Sequence, residues 1–173
     1  MTEITDVVEF EISGTLYALD IQLTREIIEI LPITPIPCTP PFIEGIINLR
    51  GEITNILNLR KIMGLSEKDE IINQKIIVLM PEAAGGSKTG IIVDDVHSVI
   101  RVSEDDIEKM DNAISGEAFV KGIIKQESIS QAGPKGTNKI IIWIDLEKII
   151  RNCIIPDNKE IYENAKAASD ANC

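Results

Sequence analysis

The chain's only histidine, His97, sits in the run Asp94-Asp95-Val96-His97-Ser98, which brings together the residue types of a base, an acid and a nucleophile. That chemistry needs the hydroxyl hydrogen-bonded to the imidazole and a carboxylate orienting the ring. The surrounding pattern predicts a strand, on which His97 and Ser98 point to opposite faces. The spacing therefore argues against a triad, and His97 reads as a surface residue. The acids Glu104, Asp105, Asp106 and Glu108 could in principle hold a hard cation, but they lack the alternating, glycine-containing spacing of a calcium loop. Ser103 with Asp106 three residues on reads instead as a capping box. The stretch Ala83 to Lys88 contains Gly85-Gly86 and Lys88, yet has neither the spacing nor the following helix of a phosphate loop, and reads as a hairpin tip. Cys38, Cys153 and Cys173 are odd in number and far apart, with no CxxC pair. They suggest packing in a reducing compartment. No cofactor or metal motif is present, and the residues argue for a binding module, not an enzyme.

One further charge draws attention. In "GIINLRGEITNILNLRKIMG", Gly45 to Gly64, Arg50 interrupts what otherwise reads as a buried apolar hairpin. A charge there needs a partner or a purpose.

The elements that must position these residues are mostly strands. Val7 to Ile12 alternates, turns at Ser13-Gly14 and returns as Leu16 to Ile21. Thr24 to Leu31 fits either a short helix or a strand. Pro32, Pro35, Pro37, Pro40 and Pro41 forbid regular structure and predict an ordered connecting loop. After the Gly45–Gly64 hairpin, Asn58 caps a short helix that ends at Gly64. Lys75 to Met80 is a strand, and Thr89 to Val102 is a strand pair or one bent strand. Ala118 to Gln126 and Lys139 to Leu146 pair across a long tip, Ser128 to Asn138. Asp145 caps a following helix, and a terminal helix or tail is expected over 157–173.

An internal repeat organises these pieces. Ile56 to Met63 aligns with Trp143 to Ile150, matching Asn58 with Asp145 and Leu59 with Leu146. Gly45-Ile46-Ile47 matches Gly122-Ile123-Ile124, and Leu19-Asp20 resembles Val93-Asp94. The fold class predicted is mainly β, with two lobes of about five strands, each closed as a small barrel with a short capping helix. The lobes are expected over about 15–70, with strand exchange from the termini, and about 75–152, with a boundary near Ser66 to Asn73.

Bulk properties narrow the partners. The chain has 173 residues, 44% hydrophobic, with isoleucine the commonest type, which suits a strand-rich core. A net charge of −11 repels phosphate backbones and anionic lipid surfaces. Aromatics at 3% leave little for base stacking. No apolar run approaches the ~20 residues that span a bilayer, and no signal peptide is recognisable. A soluble cytoplasmic protein that binds no nucleic acid is expected.

The segment Pro41 to Gly64, with its N-L-R-G turn and following N-L-R, resembles the signature hairpin of the CheW-like domain. Phe10 to Ile27, Thr89 to Val102 and Lys139 to Ile150 resemble, in order, that family's opening strands, its G-x-x-V-D-x-V segment, and its closing strand and helix. The resemblance implies two SH3-like five-stranded barrels and a stand-alone chemotaxis adaptor. It would couple the cytoplasmic tip of methyl-accepting chemoreceptors to the regulatory domain of the histidine kinase CheA. It implies no catalysis, recruitment to membrane-associated receptor arrays, and a monomer in isolation. The alternative is a scaffold for another kinase pathway, such as surface motility.

Carried over by position, Glu26 and Arg50 match the family's ion pair near the receptor side. Thr24, Gly45, Gly90, Val96 and Val99 match receptor-binding positions, although Thr24 replaces a more usual aliphatic residue. Ile53 matches a kinase-facing position, and the surface around Glu108 and Met110 a second kinase contact. Each has a plainer alternative. Arg50 and Glu26 would merely fix the hairpin, Gly45 and Gly51 would serve backbone geometry, Ile53 would be core, and one of Val96 and Val99 would point inward.

Overall fold

The computed structural model describes residues 3–66, 73–110, 119–127 and 138–154. The expected terminal helix over 157–173 and the hairpin tip after Glu127 lie outside them. The chain divides into two compact units. Unit 1 holds residues up to Ile21 and Val96–Leu146; unit 2 holds Gln22–Asp95 and the chain from Glu147.

Unit 1 contains β1 (Ile4–Ile12), β2 (Thr15–Asp20), β8 (Asp95–Ser103), β9 (Ile107–Glu108), β10 (Val120–Glu127) and β11 (Asn138–Ile144). Their order in the sheet is β8-β1-β2-β11-β10-β9. Ser13 and Gly14 both take positive φ at the β1–β2 turn, which lets the hairpin close in two residues. Val7, Ala18, Val102, Ile124 and Ile141 form the core, with Trp143 and Ile107 packed against it. Ser103 and Asp106 cap the turn from β8 to β9: the Ser103 amide and hydroxyl donate to one Asp106 oxygen at 3.0 and 2.7 Å. These bonds hold the Asp106 carboxyl below its ordinary range. Because β8 and β9 are the two ends of the sheet, this one short turn carries the chain from one edge to the other. The sheet must therefore curl, as in a small barrel.

Unit 2 contains β3 (Thr24–Glu29), β4 (Ile43–Leu49), β5 (Glu52–Asn58), β6 (Lys75–Leu79) and β7 (Thr89–Val93), ordered β3-β6-β7-β5-β4. Thr24 to Glu29 is thus a strand, settling the ambiguity of that stretch. Ile47, Ile56, Ile76, Val78 and Ile92 form its core. The proline-rich loop after β3 returns to bridge Thr34 to Ile46 on β4, with both amide bonds at 2.9 Å. Here too the two ends of the sheet are drawn together. Helix α1 (Leu59–Ile62) follows β5 directly, the Asn58 side chain accepting from the Lys61 amide at 3.3 Å, and Gly64 ends it with φ 67°. Helix α2 (Leu146–Ile154) follows β11 in the same way, immediately after Asp145.

The expected lobe boundary near Ser66 to Asn73 is not where the chain divides. β6 begins at Lys75 and pairs with β3 on one side and β7 on the other, so that connector lies within unit 2. The crossings fall after Ile21, Asp95 and Leu146. Unit 1 draws its β1–β2 hairpin from the start of the chain, through a parallel pairing of β2 with β11. A linear reading of the sequence does not reveal such a long-range pairing.

Candidate functional site

Arg50 does not interrupt a strand. It is the first residue of a two-residue turn, with Leu49 paired to Glu52 across it. Arg50 has φ 53° and Gly51 φ 83°. Positive φ at both central positions is the geometry that matches the twist of a tight hairpin. Asparagine or glycine is favoured at the first position, because a Cβ makes left-handed backbone unfavourable. The Gly51 amide donates to Asn48 Oδ1 at 2.8 Å, which helps hold the turn.

At this turn the Arg50 side chain is 67% exposed. It grips Glu26 on β3 with both arms, Nη1 to Oε1 at 2.8 Å and Nη2 to Oε2 at 2.5 Å. The expected buried charge is therefore an exposed, two-point ion pair. The Arg50 hydrogen bonds, then its positive charge and that of Arg25, hold the Glu26 carboxyl below its ordinary range. Beside it, Glu52 pairs with Lys88 at 2.9 Å and Arg25 at 3.6 Å. The rim of unit 2 thus carries a short row of alternating charges on β3, the β4–β5 turn and the start of β7.

The neighbouring candidates divide between surface and interior. Gly45 is buried with φ 143°, and a Cβ there would stand 2.1 Å from the Thr34 carbonyl oxygen. Its role is to let the Thr34 bridge approach β4. Gly90 is buried on β7, where a Cβ would meet Ile76 Cγ2 at 2.8 Å. Thr24, half-buried, begins β3. Ile53 is 56% exposed, while its neighbour Thr54 points inward and is buried. The core reading of Ile53 is therefore wrong: the apolar residue faces out and the hydroxyl in.

In unit 1, Val99 on β8 is 54% exposed and Val96 is half-buried. Neither belongs to the buried core, so the expectation that one would point inward fails. His97 lies 3.0 Å from Glu11 Oε2 across to β1 and makes no triad with Ser98. Glu108 is exposed on β9 and pairs with Lys125; Met110, half-buried, lies just past it. Among the described residues no group of three His, Cys, Asp or Glu side chains is placed to share a metal ion. Cys38 is exposed, has φ 57° in the proline-rich loop, and is disulfide-bonded, so packing is not its role.

Two polar anchors escaped the sequence reading. Arg60 on α1, with its side chain 7% exposed, reaches Asp94 just after β7 with Nη2 2.7 and 2.5 Å from the two oxygens. In unit 1, Asp20 accepts from Trp143 Nε1 at 3.0 Å and Lys121 Nζ at 2.5 Å, with Lys121 also over the indole ring. The Leu19-Asp20 and Val93-Asp94 match was the signal for both. Each acid ends a hydrophobic strand beside a strand–helix junction.

Known proteins share this arrangement. A chemotaxis protein CheW of Treponema pallidum is 34% identical over 149 residues, covering 82% of this chain and 79% of that protein. One from Thermotoga maritima is 29% identical over 152 residues, covering 88% and 91%. The crystal structure of the scaffolding protein TtCheW from Thermoanaerobacter tengcongensis matches with a TM-score of 0.66 at 37% identity, covering 82% of this chain and 89% of that one. It bears out a mainly β fold consistent with SH3-like barrel lobes. The family model of the CheW-like domain matches residues 6–153. With that span matched and its signature turn in place, the chain belongs to the CheW-like domain family.

Proposed function

We propose that this chain is a non-catalytic chemotaxis adaptor that couples chemoreceptors to a CheA-type histidine kinase. The observation that carries this is the Arg50–Glu26 pair. Arginine stands in a left-handed turn position that favours asparagine or glycine, and its guanidinium is largely exposed. An exposed pair adds little stability. Retaining arginine there fits a recognition role, in which the guanidinium and its row of neighbouring charges meet a receptor's helical tip. Thr24 on the same rim, and Val96 and Val99 on β8, are proposed to contribute to receptor binding. Gly45 and Gly90 are buried and act by shaping the backbone. Ile53 is proposed as the kinase-facing anchor, since a large apolar side chain left exposed on a strand suits a protein contact. Such an adaptor is recruited from the cytoplasm to receptor arrays and is a monomer alone.

The test is co-purification. The tagged chain should retain both the CheA-type kinase of the same organism and a receptor's cytoplasmic coiled-coil tip. Capture of the kinase without any receptor would point to a scaffold in a different pathway. Capture of neither would overturn the proposal.

A further inference from the structure

The loop between β3 and β4 carries a feature that the adaptor role does not use. Its Pro37-Cys38 step is a tight turn, across which the Thr39 hydroxyl donates to the Ile36 carbonyl at 3.0 Å. Cys38 takes φ 57° there. That turn position, just after a proline, favours glycine or asparagine, because a Cβ makes left-handed backbone unfavourable. A cysteine kept in such a place is exposed at the surface, and its sulfur is disulfide-bonded. The chain's other cysteines are Cys153 and Cys173. Whichever closes the bond, the loop is tied to the carboxy-terminal end of the chain.

We propose that Cys38 is the accessible half of a redox-sensitive clasp on the β3–β4 loop. In the cytoplasm proposed for this chain, disulfides are rare and those that form are mostly redox-sensing. Exposed disulfides are also the more readily reduced. The reductant is a dithiol. Its thiolate attacks one sulfur of the bond, and the other sulfur leaves as a thiolate. The second thiol of the reductant then displaces the first. Two electrons pass to the Cys38 disulfide, the dithiol becomes a disulfide, and its two protons end on the freed cysteines. A disulfide oxidant runs the exchange backwards.

What the clasp controls follows from where the loop lies. Four residues before Cys38, Thr34 pairs with Ile46, each amide donating to the other's carbonyl at 2.9 Å. Two residues after it, the Pro40 carbonyl accepts from the Ile43 amide at 2.9 Å. Ile46 in turn pairs with Asn55, which shares a strand face with Ile53. The loop is thus a third strand at the edge of the proposed kinase face. Bonded, it has fewer open conformations to visit. Reduced, it regains that freedom, and the Thr34 bridge opens more often. The effect on the kinase rests on the proposed role of Ile53; the clasp itself does not.

The test compares the full chain oxidised with glutathione disulfide and reduced with dithiothreitol. Peptide mapping with thiols blocked should find Cys38 linked to Cys153 or Cys173 in the first and free in the second. Amide exchange at Ile46 should be about tenfold faster in the reduced chain. Cys38→Gly suits the left-handed turn and removes the sulfur, so it should fold and exchange at one rate in both states. Free thiols under oxidation, or a glutathione adduct at Cys38 in place of the internal bond, would overturn the clasp. So would equal Ile46 exchange in both states of wild type, or a redox effect that survives in Cys38→Gly. Binding to the full-length CheA-type kinase of the same organism should be about fivefold weaker in the reduced chain. Equal affinity in the two states would overturn the coupling to the kinase face. If neither state binds the kinase, the Ile53 reading falls, and the exchange rates still decide the clasp.

Discussion

Asp94 and Asp20 hold the same place in the two units, at the end of a central strand that runs parallel to the strand leading into a helix. In unit 2 the partner is Arg60, and the pair is nearly enclosed, at 7% and 14% exposure. In unit 1 the partners are a half-exposed lysine and the indole of Trp143. The plan keeps the carboxylate and changes what answers it. The glycines show the same pattern. Gly45, at positive φ, faces a backbone carbonyl, whereas Gly122 faces the Cγ2 methyl of Ile107. The requirement shared by both units is geometric: the strand must bulge and its end must be tied. Unit 2 ties its strand end with an enclosed pair; unit 1 uses a lysine that reaches solvent.

That contrast predicts a ranking of defects. Arg60→Ala leaves Asp94 nearly enclosed without its guanidinium and should cost about 3–5 kcal/mol. That corresponds to a melting midpoint lower by on the order of 10 °C. The matched change in unit 1, Lys121→Ala, should cost only about 1 kcal/mol, because Asp20 keeps the Trp143 indole N–H and the lysine already reaches solvent. Equal losses in thermal melts would break the comparison. Gly45→Ala comes next: its methyl group meets backbone that cannot move aside, at a cost of about 3 kcal/mol. Gly122→Ala should cost less, about 2 kcal/mol, since it meets a side-chain methyl and not backbone, and no positive φ adds strain. Denaturant titrations of the two variants decide this, and a larger loss at Gly122 would reverse that order.

How much of this was legible beforehand follows from where the information sits. The Ser13-Gly14 turn, the cap at Asn58 and the box of Ser103 with Asp106 were readable because each depends on residues within three or four positions. The repeat of strand end, cap and helix was readable for the same reason. Arg50 was misread because arginine is not a usual turn residue; only the glycine after it marked the turn. For Ile53 only the plainer core alternative fails, because an exposed isoleucine beside a buried threonine inverts the expected alternation. The division into units was misplaced because a pairing such as β2 with β11 leaves no local trace. The Arg60–Asp94 contact was hidden likewise, its partners being separated by two strands. Of the candidate site, the Arg50–Glu26 contact was found through a family resemblance; composition and spacing alone pointed only to a charge in need of a partner.

The smallest expected effect on stability lies at the rim. Arg50→Ala and Glu26→Ala should each melt close to wild type and retain the kinase, yet fail in receptor-coupled kinase activation. Pronounced unfolding of Arg50→Ala would instead make the pair a structural clasp. The pH dependence has a definite sign. Glu26 is held below its ordinary range, so the pair adds stability above the ordinary carboxylate pKa and loses it as pH falls through the lowered value. The small melting difference between wild type and Arg50→Ala should therefore be present at neutral pH and vanish in acid. A difference that survives strong acid would assign it to the turn backbone.

The borrowed hairpin of unit 1 has a consequence for synthesis. Every described strand of unit 2 has been made once Val93 leaves the ribosome, so that sheet can form early. The β1–β2 hairpin is made before them, but its parallel neighbour β11 does not begin until Asn138. At ~5–20 residues per second, the hairpin waits on the order of ten seconds with the edge of β2 unpaired. Through that interval the nascent chain carries one closing barrel and one orphan hairpin whose free edge is open to other chains. Until β11 is made, the amides and carbonyls along that edge of β2 have only water to bond, which makes it the place where neighbouring nascent chains can pair.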